Sequence, residues 1–154
     1  MRRNSKRNEY SHRRFAVHDR NEEPELSERE ARRLLAACPD EQFVAALQNV
    51  MSRFRPRGWM TIDQAAGLAE MSVRSLQRRL AAEGETFAQV CEQTRAELAT
   101  RMLKCTDLSL GEIASELGYS ERTNFIRAFK RWTGVTPEQF RTQSADTLDD
   151  DPVA

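Results

Sequence analysis

The sequence predicts an all-α fold, and three observations carry that expectation. Ser27-x-x-Glu30, Thr61-x-x-Gln64, Thr86-x-x-Gln89, Ser109-x-x-Glu112 and Thr136-x-x-Gln139 each fit the pattern in which a hydroxyl caps a helix start and a Glu or Gln reaches back. Apolar residues recur after these starts at helical spacing, and no stretch alternates long enough to form a strand. Hydrophobic residues are 39% and charged residues 31% of the 154, a polar, helix-friendly composition rather than a membrane-bound one, at a length for one ordinary domain or two very small ones.

In chain order, residues 1–24 lack periodicity and read as a disordered basic arm, with seven basic and two acidic side chains in the first twenty residues. After the Ser27 start, Ala31, Leu34 and Leu35 stripe a short helix that ends near Cys38-Pro39-Asp40. A second helix, from about Glu41 to Arg55, carries Phe43, Val44, Leu47, Val50, Met51 and Phe54, and Arg55–Gly58 breaks it. Residues 25–58 thus form a helical extension. Short helices follow at close intervals from Trp59 to Arg141, and residues 142–154 read as an acidic disordered tail with four Asp in the last ten positions.

The net charge is zero, yet between Trp59 and Arg141 eleven basic and eleven acidic residues are sorted onto faces. On a helical wheel Ala128, Phe129 and Trp132 fall within about 60° of Phe125, while Thr123, Arg127, Lys130 and Arg131 fall opposite. Gly118 punctuates the start of this segment and Gly134 with Thr136-Pro137 its end. A basic outer face alone is ordinary solvated surface. What raises it above that is a repeat: "TIDQAAGLAEMSVRSLQRRL" and "SLGEIASELGYSERTNFIRAF" share a capped start, a small residue, a Ser-bearing turn and an apolar-basic second helix. Ala66 answers to Ala114, Met71 to Tyr119, Ser72 to Ser120 and, after a one-residue insertion, Arg78 to Arg127, with Leu68 and Glu116 only loosely equivalent. A small residue in the first helix lets a second helix cross closely, which a helix-turn-helix requires. One such copy fits a generic α-hairpin equally well; two copies with outward cations favour the helix-turn-helix.

Residues 59–141 resemble the DNA-binding domain of the AraC/XylS family of bacterial transcription regulators. The match is strongest over "LSLGEIASELGYSERTNFIRAFKRWTGVTPEQFR", Leu108 to Arg141, with "MSVRSLQRRLAAEG" as the first recognition helix. The resemblance implies two helix-turn-helix units joined by the Phe87–Lys104 linker helix, a sequence-specific regulator of transcription in the cytoplasm, double-stranded promoter DNA as partner and RNA polymerase as a further one. Two departures stand out: Glu70 replaces the Gly usual at the first turn, and Gly67 sits inside a helix, both at a cost to the first unit.

With Leu76 placed inward beside Val73 and Leu80, Arg74, Gln77 and Arg78 project outward, and Arg and Gln side chains can fork onto guanine and adenine edges. Arg122, Thr123, Ile126 and Arg127 take the corresponding places in the second unit. Ile126 suits a thymine methyl, or packs against a neighbouring helix. Lys130 and Arg131, a turn further on, suit phosphate. Ser72 and Ser120 open the two recognition helices as caps, compatible with phosphate contact at the adjacent N–H groups. Arg79 and Glu83 read as an i, i+4 surface pair. Trp59, Leu117, Phe125, Phe129 and Trp132 read as core, and Arg95 matches a family arginine with a local structural role.

Such a domain implies an asymmetric site of about 20 bp, two turns of duplex, read by one chain. Other classes fare worse. No Gly-rich phosphate loop or convergent His/Cys/carboxylate set points to an enzyme, and Cys38, Cys91 and Cys105, widely spaced, read as reduced thiols. No metal or other cofactor is expected. No apolar run reaches the roughly 18 residues that span a bilayer, so no membrane partner is expected. The 58 residues before Trp59 are too few for an effector-binding barrel, so effector binding is not expected within this chain. Two alternatives stay open: the C-terminal fragment of a longer effector-responsive regulator, and a helical protein-interaction module that has lost DNA readout.

Overall fold

The computed structural model describes residues 25–54 and 58–146. The basic arm and most of the acidic tail fall outside them. Eight α-helices and no strand lie in the described residues: α1 (Glu28–Ala37), α2 (Phe43–Arg53), α3 (Ile62–Leu68), α4 (Val73–Ala82), α5 (Phe87–Cys105), α6 (Leu110–Glu116), α7 (Arg122–Thr133) and α8 (Pro137–Asp146).

Local chemistry explains most of the starts. Ser27, Thr61, Thr86 and Ser109 each accept a hydrogen bond from the N–H three residues on, while the side chains of Glu30, Gln64, Gln89 and Glu112 accept one from the N–H of the capping residue. Thr136 and Gln139 exchange the same pair at 3.0 and 3.2 Å, ahead of Pro137 in the first turn of α8. The α2 start is different. A 3-10 turn at Asp40–Gln42 precedes it, and Gln42 makes no side-chain cap. The Val44 N–H is instead met at 3.0 Å by Oε1 of Glu83, the residue that closes α4.

Two hydrophobic clusters are strung along α5. The first joins Leu26, Ala31 and Leu35 to Phe43, Leu47, Val50 and Met51, then to α3, α4 and Val90 and Cys91. The extension is therefore continuous with the first unit, and residue 58 marks no packing boundary. The second cluster joins Leu98, Ala99, Met102 and Leu103 to Leu110, Ile113, Leu117, Phe125 and Phe129. Burying these side chains on either side of one helix supplies the main stabilising force.

Trp59 borders both clusters. It and Trp132 are half-buried rather than fully inside, as are Val44 and Phe54, whereas Leu117, Phe125 and Phe129 are fully buried. α8 runs to Asp146, beyond the expected boundary at residue 141, with Phe140 edge-on to Phe129 at 5.4 Å and Arg141 donating to the Leu108 carbonyl at 2.6 Å.

Candidate nucleic-acid interface

Helices α3–α4 and α6–α7 repeat one geometry. Glu70 and Gly118 occupy the same turn position, at φ +54° and +81°. The N–H of Met71 bonds the Ala66 carbonyl at 3.0 Å, and that of Tyr119 bonds the Ala114 carbonyl at 2.9 Å. Replacing glycine by glutamate leaves the turn's hydrogen bonding intact, and the cost is conformational. At Gly118 a side chain has no room: a Cβ would lie 2.6 Å from Trp59 Cβ. Arg95 closes this corner, donating from Nε to the Leu117 carbonyl at 3.0 Å with its guanidinium 4.6 Å from the Trp59 ring and 5.3 Å from Tyr119. Burial raises the Cys91 thiol pKa in the same region, opposed by the Trp59 indole and Arg95.

In α4, Leu76 and Leu80 are fully buried against the first cluster, and Arg74, Gln77 and Arg78 are exposed. Ser72 caps the helix by accepting from the Ser75 N–H at 3.1 Å. In α7, Phe125 and Phe129 are fully buried, and Arg122, Thr123, Arg127 and Lys130 are exposed. Asn124 is exposed between them, a hydrogen-bonding side chain that the two-copy comparison passes over because its counterpart is Ser75. Ile126 is half-buried and packs on the second cluster.

Three placements differ from expectation. Ser120 does not cap α7: the inserted Glu121 takes that position, without a side-chain hydrogen bond, because the insertion moves the helix start on by one residue. Arg131 does not point freely outward, since its guanidinium pairs with Glu92 on α5, which also accepts from Trp132 Nε1 at 2.7 Å. The Trp132 and Arg131 hydrogen bonds hold the Glu92 carboxyl below the usual carboxylate range. Arg79 and Glu83 turn from each other to separate partners: Arg79 Nη2 lies 2.9 Å from Asp40 Oδ1, while Glu83 meets Val44.

Among the described residues there is no group of three His, Cys, Asp or Glu side chains fit to hold a metal ion, and no helix is long and apolar enough to cross a membrane. None of the three cysteines is in a disulfide.

Two helix-turn-helix units displaying basic recognition helices on one linker helix define the DNA-binding domain of a transcription regulator rather than an enzyme. The Helix-turn-helix domain family matches residues 65–143, and the chain belongs to this AraC-type family of regulators. It is 35% identical over 117 residues to the ornithine utilization regulator of Pseudomonas aeruginosa, covering 76% of this chain and 34% of that protein. To the HTH-type transcriptional regulator VirS of Mycobacterium tuberculosis it is 42% identical over 89 residues, 58% of this chain and 26% of that one. The chain therefore spans only about a third and about a quarter, respectively, of the length of these relatives. Its fold is shared with the DNA-binding domain of the global transcriptional factor AdpA, solved in complex with a target DNA, at a TM-score of 0.59 and 22% identity over 75% of this chain and 100% of that one.

Proposed function

We propose that this chain is the DNA-reading part of a bacterial cytoplasmic transcription regulator that places α4 and α7 in two successive major grooves. The carrying observation is that each recognition helix buries its apolar side in one of the two hydrophobic clusters while Arg74, Gln77 and Arg78 on one, and Arg122, Thr123 and Arg127 on the other, stand exposed. Arg74, Arg78, Arg122 and Arg127 suit guanine edges, and Gln77 an adenine edge. The half-buried flank of Ile126 leaves one side of it for a thymine methyl. Lys130 takes phosphate, joined by Ser72 at the start of α4 and by Ser120 in the turn ahead of α7. Arg131 joins them when it leaves Glu92.

The nineteen residues of α5 span about 28 Å, and helix widths at either end bring the two heads near one duplex turn, about 34 Å. Because the heads differ in sequence, the preferred site is asymmetric and about 20 bp long. Promoter-bound, the whole protein acts on RNA polymerase, and any effector is bound outside this chain. The short span relative to the curated relatives supports a piece of a longer regulator. An interaction module without readout is disfavoured by the exposed arginines on both reading helices.

In vitro selection of bound duplexes, followed by the mass of the complex, tests this reading. One chain on an asymmetric two-part site is expected. A palindrome occupied only by a dimer, each chain protecting one groove, would refute it.

A further inference from the structure

The first helix-turn-helix is gripped by the segment upstream of it at two places, the last turn of α4 and the turn that precedes α4. Arg79, on the flank of α4 next to Arg78, donates from Nη2 to the Cys38 carbonyl at 3.2 Å and pairs with Asp40 at 2.9 Å. Its guanidinium also sits 4.1 Å from the centre of the fully buried Phe43 ring. One turn on, Glu83 takes the Val44 N–H at 3.0 Å and so caps α2, which has no side-chain cap of its own. At the opposite end, Arg32 of α1 donates to the Gly67 carbonyl at 3.2 Å and lies 3.6 Å from Glu70 across the strained turn, while Glu28 holds it at 2.8 Å. The second unit has Ala128 and Trp132 where the first has Arg79 and Glu83, and its α7 is tied to α5 instead.

Base readout by forked hydrogen bonds tolerates errors of only about 0.5 Å and 10–20° in side-chain placement. A ten-residue helix whose last turn and whose preceding interhelical turn are both held by one external segment takes its pitch from that segment. We infer that α1 and the 38–44 turn form a splint that sets the pitch of α4, with Arg79, Glu83 and Arg32 as positioning residues. Selectivity at the first half-site then depends on the segment upstream of the first helix-turn-helix, and selectivity at the second does not. A movement of α1 relative to α4 disengages one reading head and leaves the other in place. The inference rests on the reading that α4 enters a major groove.

The test is in vitro selection with the whole chain, wild type against Asp40→Asn and Arg79→Lys, together with thermal melts and with salt titrations that also include Arg79→Ala. Asp40 is 88% exposed, so its substitution leaves the core untouched. Both variants are expected to flatten base preference at the first half-site by at least about fivefold, the lower end of one forked base contact, with the second half-site profile, the salt slope and the melt unchanged. The sign is the discriminating feature. Removing a carboxylate near DNA by electrostatics alone strengthens binding to every sequence and leaves preference as it was. That result for Asp40→Asn, a salt slope reduced by about one in Arg79→Ala (a direct phosphate contact), or equal losses at both half-sites overturns the splint. A wild-type chain with no base preference at either half-site overturns the DNA-reading proposal itself, and that outcome is read before any variant is made.

Discussion

Glu70 and Gly118 hold equivalent positions with opposite consequences for substitution. Glu70 is the sole non-glycine with positive φ among the described residues. A left-handed L-residue costs roughly 1–2 kcal/mol, offset in a glycine replacement by about 0.4–1 kcal/mol of extra unfolded-chain freedom. Glu70→Gly is therefore expected to stabilise the first unit by about 0.5–1 kcal/mol, whereas Glu70→Ala gains nothing from backbone relief; urea midpoints separate the two. Gly118→Ala meets both the same backbone cost and a contact at 2.6 Å with Trp59. Its expected loss is several kcal/mol, adding about 1–3 kcal/mol of overpacking to the left-handed cost. On the reading faces, Arg78→Ala and Arg127→Ala are each expected to lose about 1–3 kcal/mol of base discrimination. Lys130→Ala is expected to weaken all sequences alike and reduce the salt slope by about one, a distinction that titration on specific and random duplexes resolves.

Each reading helix is fastened at its last turn by a different device. α4 uses Arg79 and Glu83 against the 38–44 turn, and α7 uses Trp132 and Arg131 against Glu92. Glu92 has a folded pKa lowered chiefly by Trp132 and then Arg131. Its contribution is present above the unfolded carboxylate pKa and lost as pH falls through the lowered folded value. Glu30 and Glu112, lowered by bonds from Ser27 and Ser109, follow the same sign at the starts of α1 and α6. Acid loosening of the α7–α5 tie is thus expected below the ordinary carboxylate range, and Glu92→Gln is expected to remove that component of the pH profile in a chemical-shift titration. Within α3, Gly67 has open space where a Cβ would stand, so Gly67→Ala is expected to stabilise by about 0.5–1 kcal/mol in the same urea assay. The starts of α1, α3, α5, α6 and α8 are legible in the sequence because a capping box is complete within four residues. The start of α2 is not, because its cap comes from Glu83, 39 positions away. For the same reason i, i+4 spacing pairs Arg79 with Glu83, where the tertiary partners Asp40 and Val44 prevail. The Ser120 cap fails on a single inserted residue, which periodicity alone cannot place.

At the scale of the molecule, α5 serves both clusters: Val90 and Cys91 belong to the first, and Leu98, Ala99, Met102 and Leu103 to the second. A rigid two-headed reader on such a helix is expected to be sensitive to groove phase. Inserting about 5 bp between the half-sites turns one groove to the far side of the duplex and is expected to abolish most specific affinity, as competition binding measures. The outward faces of α4 and α7 are readable from sequence periodicity, since burial alone decides them, whereas the linker helix follows from the family resemblance. The continuity of the extension with the first unit is not, because it depends on which of several apolar stripes meet. Trp59 has the Gly118 turn at its back and Arg95 over its ring, and Trp132 donates to Glu92. These are the chain's only two tryptophans, and each stands where the second unit meets the rest. The ultraviolet emission of the unlabelled protein is consequently a built-in gauge of how that unit is seated, and in Trp132→Phe a single tryptophan, Trp59, remains to follow it as duplex is added.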